Sequence, residues 1–125
     1  MTASSYTRSE IELLVFELGG AVFGADASQV LRIDRPVEGA GPAQAPGPLG
    51  VATQGSRALV FKTEGGYGQL RVDGVRGVRQ VAVDSLRRLP QAATAQPYAI
   101  GVWLDGDRPV LLIDLVEMVR HQGRQ

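Results

Sequence analysis

The sequence predicts an all-β fold with one C-terminal helix, and three observations carry that prediction. Sixteen glycines and seven prolines in 125 residues require many turns, and many turns imply many short strands. Apolar runs such as Leu13–Phe16 and Val110–Ile113 are short and rich in Val, Leu, Ile and Phe, which suits strands better than helices. The clearest helix-start signal is Asp114 followed three residues later by Glu117, a capping pair ahead of an apolar face of Leu115, Met118 and Val119.

The elements follow in order. Leu14-Val15-Phe16, Gly19-Gly20 and Phe23-Gly24 read as a strand, a glycine turn and a returning strand. Adjacent glycines suit turns whose central residues need positive φ. Asp26 is placed to cap a short helical turn leading to Val30. The same hairpin texture returns at Leu59-Val60-Phe61, Gly65-Gly66 and Tyr67-Gly68, so the chain carries an internal repeat. From Gln69 to Val83, valines and arginines interleave with Gly74 and Gly77, which reads as bent, twisted strand. Asp84 could cap a turn over Ser85–Leu89. A second echo links Pro48-Leu49-Gly50-Val51 with Ala99-Ile100-Gly101-Val102. After Val102 come the turn Asp105-Gly106-Asp107 and the closing strand Pro109–Ile113; after Val51 no such strand appears. The halves are similar but unequal.

Residues 1–9 read as a flexible N-terminus and 10–122 as one domain. Within it, residues 36–48 form a Pro/Gly-rich loop that cannot pair in a sheet interior. Residues 90–97 form a second loop of similar texture. The polar start is no signal peptide and no run approaches a membrane span, so a cytoplasmic protein without membrane insertion is expected.

The chemistry of a catalyst is missing from the pattern. With no cysteine, thiol nucleophiles, iron–sulfur ligation, zinc fingers and disulfides are excluded. His121, the single histidine, falls in the last turn of the predicted helix, where a cation suits the dipole. The Gly-Gly pairs match no phosphate-binding motif. Asp105-Gly106-Asp107 lacks the remaining ligands of a calcium loop. No cofactor and no metal are expected. Formal net charge is zero, which removes the usual electrostatic case for nucleic-acid binding. Residues 71–88 nevertheless hold five arginines (Arg71, Arg76, Arg79, Arg87 and Arg88) against Asp73 and Asp84. Arg71, Arg76 and Arg79 are candidate contacts to an acidic partner. On that basis the alternative is a standalone SH3-like module for nucleic acid or an acidic protein through Arg71–Arg88. No aromatic residue interleaves there, which weighs against single-stranded nucleic acid.

At this point six motifs in order resemble the CheW-like domain family, the adaptors of bacterial chemosensory arrays. They are Leu14-Val15-Phe16-x-Leu18, Phe23-Gly24-x-Asp26 with Val30-x-x-Ile33, Pro48-Leu49-Gly50-Val51, Leu70-x-Val72-Asp73-x-Val75, Ile100-Gly101-Val102, and Val110–Leu115 with Val119. Within that family the chain resembles the small CheW-like proteins of Frz-type chemosensory systems. The resemblance implies two SH3-like β-barrel subdomains, no catalysis, and a scaffold coupling methyl-accepting chemoreceptors to a histidine kinase. It also places a receptor groove at Val30, Ile33 and Val51. The sequence departs from the family where Thr53-Gln54-Gly55-Ser56 stands in place of an arginine turn and a closing strand. The first barrel is therefore expected to be truncated after Val51. The expected partners are the cytoplasmic tip of a chemoreceptor and another CheW-like adaptor, with the kinase regulatory domain bound weakly or not at all. Val30→Glu is expected to abolish receptor binding and leave the fold intact.

Overall fold

The computed structural model describes residues 10–36, 43–44, 55–88 and 98–122. They form ten strands and one helix: β1 (Glu10–Leu18), β2 (Ala21–Asp26), β3 (Val30–Asp34), β4 (Ala43–Gln44), β5 (Arg57–Thr63), β6 (Gly66–Val72), β7 (Gly74–Ala82), β8 (Leu86–Arg87), β9 (Ala99–Asp105), β10 (Arg108–Ile113) and α1 (Leu115–Gln122). Short 3-10 turns lie at Ala27–Gln29 and Val83–Ser85. The expected N-terminal segment 1–9, the loop 90–97 and most of the loop 36–48 lie outside the described residues. Within the latter, β4 runs parallel to β6 at the sheet edge, a place open to a proline-flanked segment.

Two sheets divide the strands. One runs β7-β1-β2-β10-β9-β8 and the other β3-β5-β6-β4. The 3-10 turn at Val83–Ser85 joins β7 to β8, the two ends of the larger sheet, so that sheet curls on itself as a barrel. Its lumen holds Leu13, Val15, Val81, Val110 and Leu112, with Trp103 packed beside them. The opposite face of β1 sends Leu14, Phe16 and Leu18 into a second core with Leu59, Phe61, Leu70, Ile113, Leu115 and Met118. This accounts for the unbroken run Leu13–Phe16: both faces of β1 are buried, so alternation with polar residues is absent.

The hairpins predicted from the repeat are both present, yet they lie in different sheets. Their glycine pairs are not equivalent. Gly19 and Gly20 occupy the first turn at φ 62° and 83°, whereas Gly66, at φ 145°, already opens the returning strand β6. The segment read as one bent strand is two, β6 and β7, with Asp73 between them. Its amide donates to the Glu17 carbonyl at 2.8 Å, and its carboxylate accepts from Gly19 N–H at 2.7 Å.

Two caps stand as read from the sequence. Asp26 accepts from Ser28 N–H at 2.9 Å, and Asp114 accepts from Glu117 N–H at 3.0 Å. Asp84 does not cap: it lies inside the turn Val83–Ser85, whose N-cap Ala82 has no side-chain oxygen to offer.

The expected truncation after Val51 falls in residues 45–54, outside those described. The strands flanking that interval, β3, β4 and β5, all belong to the four-stranded sheet.

Candidate partner-binding surface

The residues singled out for partner binding are spread over both sheets. Val30 and Ile33 lie on β3, which pairs with β5 through Val30–Phe61, Arg32–Val60, Ile33–Leu59 and Asp34–Ala58. A register shift between Val30 and Arg32 marks a bulge. A bulge bends a strand and re-aims its side chains, and here it separates the two predicted residues. Val30 packs against the main core, whereas Ile33 is 38% exposed. Leu31, within the bulge, is 52% exposed. Sequence reasoning did not single out Leu31, because its position in a bulge is set by pairing with a strand more than twenty residues downstream. Val51 lies outside the described residues.

β3 is the most open of the longer strands, with every residue from Leu31 to Asp34 exposed. It is at one end of its sheet, and no described strand pairs with its outer edge. The packing of Val30 also changes the expected effect of Val30→Glu. A carboxylate there would enter the margin of the core, so the substitution threatens the fold as well as the surface.

The five arginines of 71–88 do not make one face. Arg71 is half-buried on β6, opposite Ala58 of β5. Its Nε donates to the Gly55 carbonyl at 3.0 Å. Arg76 and Arg79 lie on β7 in the other sheet. Arg76 Nε holds Glu17 Oε2 at 2.6 Å, and Arg79 Nη1 lies 3.6 Å from Asp105 Oδ1. Arg87 turns its Nη1 toward the Asp84 and Leu86 carbonyls, at 3.4 Å each. Exposed pairs of this kind add little stability, but they neutralise the charge offered to a partner.

Arg71 instead joins β3. A depression of about 700 Å³ is lined by Ile33, Asp34, Arg35, Ser56, Arg57 and Arg71. Asp34, Ala58 and Arg71 stand in one cross-strand row, and the small methyl of Ala58 leaves space between the two charged neighbours. Arg32 Nε pairs with Asp34 Oδ2 at 3.2 Å. The Arg35 amide, and then the Arg32 guanidinium, hold the Asp34 carboxyl below the usual carboxylate range. Gly55, whose carbonyl accepts from Arg71, is packed tightly: a Cβ there would stand 1.7 Å from the Val72 carbonyl oxygen.

Among the described residues no three His, Cys, Asp or Glu side chains gather as metal ligands. No described helix is long and apolar enough to cross a membrane.

The chain is mostly β, with two sheets, a capped terminal helix and an exposed edge strand. The chain belongs to the CheW-like domain family, whose profile matches residues 42–123. It is 51% identical over 115 residues to Frizzy aggregation protein FrzB of Myxococcus xanthus, across 91% of this chain and 99% of that protein. Among solved structures it is similar to the scaffolding protein TtCheW from Thermoanaerobacter tengcongensis, with a TM-score of 0.65 over 86% of each chain. Sequence identity to that protein is 16%, so this likeness establishes the shared fold, the two SH3-like barrels expected from the resemblance.

Proposed function

We propose that this chain is a non-catalytic adaptor of a bacterial chemosensory array, working in the cytoplasm. It binds the cytoplasmic tip of a methyl-accepting chemoreceptor through β3 and Val51 and modulates coupling to a histidine kinase. Family membership and the extensive identity to a Frizzy aggregation protein support the adaptor role. The observation that carries the receptor reading is the exposed apolar edge of β3, where Leu31 and Ile33 face solvent beside the anchored Val30. Exposed apolar side chains on an edge strand fit a protein partner, since they gain by leaving water and the strand can accept new contacts.

Kinase docking is weakened or lost in this reading, and a second CheW-like adaptor is the alternative neighbour in the array. The argument is the sequence interval after Val51, too short for the turn and closing strand of the family pattern, beside a four-stranded sheet. A nucleic-acid role draws no support from a net charge of zero and from the local pairing of Arg76 and Arg79.

The test is capture of the cognate receptor tip by wild type and by Ile33→Glu, with folding monitored by circular dichroism. Loss of capture by a folded variant supports the assignment; undiminished capture removes Ile33 from the contact. Calorimetry against the kinase regulatory domain tests the second part, and binding as tight as that of a full-length adaptor would contradict it.

A further inference from the structure

The depression beside Ile33 is locally cationic in a chain whose formal net charge is zero. The whole sequence balances 13 basic against 13 acidic residues. Here the balance is broken. Asp34 is engaged by Arg32 at 3.2 Å, while Arg35, Arg57 and Arg71 line the same concavity. Neither the Arg35 nor the Arg57 guanidinium is in a salt bridge with a described residue, although the Arg35 charge acts on Asp34, and both side chains are exposed. Arg71 is oriented from below by its bond to the Gly55 carbonyl. Three arginines from three chain segments therefore line one hollow: Arg35 just past β3, Arg57 at the start of β5 and Arg71 near the far end of β6.

We propose that this hollow is an anion-recognition site for carboxylate side chains of an acidic protein segment, docking against β3. The proposal rests on the adaptor reading and supplies the charge recognition that would accompany the apolar edge. Arginine forks suit carboxylates because they donate paired, charge-assisted hydrogen bonds. Ser56 adds a hydroxyl at the rim, and Ile33 adds an apolar wall. That mixture fits a segment presenting an apolar residue beside one or two Asp or Glu. It fits a nucleic-acid backbone poorly. Among its described lining residues no aromatic ring is present to stack on a base.

The test uses the intact chain and two labelled probes, a 20-residue glutamate-rich peptide and an oligothymidylate of equal length, read by fluorescence anisotropy at low and moderate salt. Wild type should bind the peptide with salt-sensitive affinity and bind the oligonucleotide more weakly. Arg35→Glu with Arg57→Glu should weaken peptide binding about tenfold or more, the scale of two lost charge-assisted contacts. Arg76→Glu with Arg79→Glu, on the other sheet, should leave it unchanged. Should the reversed pair perturb folding, Arg35→Gln with Arg57→Gln replaces it. Peptide affinity that survives the loss of Arg35 and Arg57, or tighter binding of the oligonucleotide, overturns the proposal. Capture of the receptor tip by the same variants separates the two readings. A wild type that binds the peptide through Arg35 and Arg57 but ignores the receptor keeps the site and rejects the receptor as its occupant.

Discussion

The side chain of Gln29 locks onto Asp114 across 85 residues of sequence, its Nε2 donating to Asp114 Oδ1 at 3.2 Å. Its Oε1 in turn accepts from Leu115 N–H at 3.2 Å. Asp114 also caps Glu117 N–H, so one carboxylate serves the helix start and the turn that launches β3. The terminal helix and the candidate docking strand thus share a hydrogen-bonded hinge point.

Removing that lock should have a measurable signature. Asp114→Ala loses the N-cap and is expected to cost about 1–2 kcal/mol. Gln29→Ala should cost about 1 kcal/mol. Because the two share partners, their effects should not add, and a double-mutant cycle by urea denaturation should show a coupling of about 0.5 kcal/mol or more. Strict additivity would mean the contact does not form in solution.

Val30 and Ile33 should respond differently to the same charge. Val30→Glu pushes a carboxylate against the main core and should lower stability by about 1–3 kcal/mol. Ile33→Glu, on the exposed side of the bulge, should change stability by less than about 0.5 kcal/mol. Chemical denaturation of both variants checks this, and equal losses would contradict the burial assigned to the two side chains.

Two glycines make a second contrasting pair. Gly55→Ala would drive a methyl into the Val72 carbonyl at 1.7 Å, and should cost about 1–3 kcal/mol or more. Gly65 has nothing within 4 Å of the added carbon and no positive φ. Gly65→Ala should therefore be neutral to within about 0.5 kcal/mol. Thermal unfolding of the two variants reads the difference.

Asp34 should titrate below the ordinary aspartate value of about 4, since the Arg35 amide and the Arg32 guanidinium both favour its charged form. A folded pKa below the unfolded one means the contribution is present above about pH 4 and is lost as pH falls through the folded value. Carbon-detected NMR of the carboxyl gives the midpoint directly. A midpoint at or above 4 would show that these contacts are absent in solution.

Local chemistry was legible in the sequence, and long-range pairing was not. The Asp26 and Asp114 caps each depend on atoms two or three residues away, and both stand where the pattern placed them. The Leu13–Phe16 run announced a buried strand, yet nothing along the chain said that Leu13 and Val15 enter one core and Leu14 and Phe16 another. Asp84 was misplaced because a three-residue turn gives a capping residue little to distinguish it from its neighbours. The arginines show the same limit. Density along the chain groups Arg71 with Arg76 and Arg79, whereas the folded chain sets it across from Ala58 beside a depression that Arg35 and Arg57 also line.

The open outer edge of β3 has a consequence for strand pairing. β3 ends the four-stranded sheet with no described strand on its outer edge, and so invites pairing with another chain. There a bulge interrupts the ladder with β5, and Arg32, Asp34 and Arg35 place charge on the strand and just past its end. These are devices that discourage indiscriminate strand-to-strand association. The same charges that would admit a chosen partner act as gatekeepers against self-pairing.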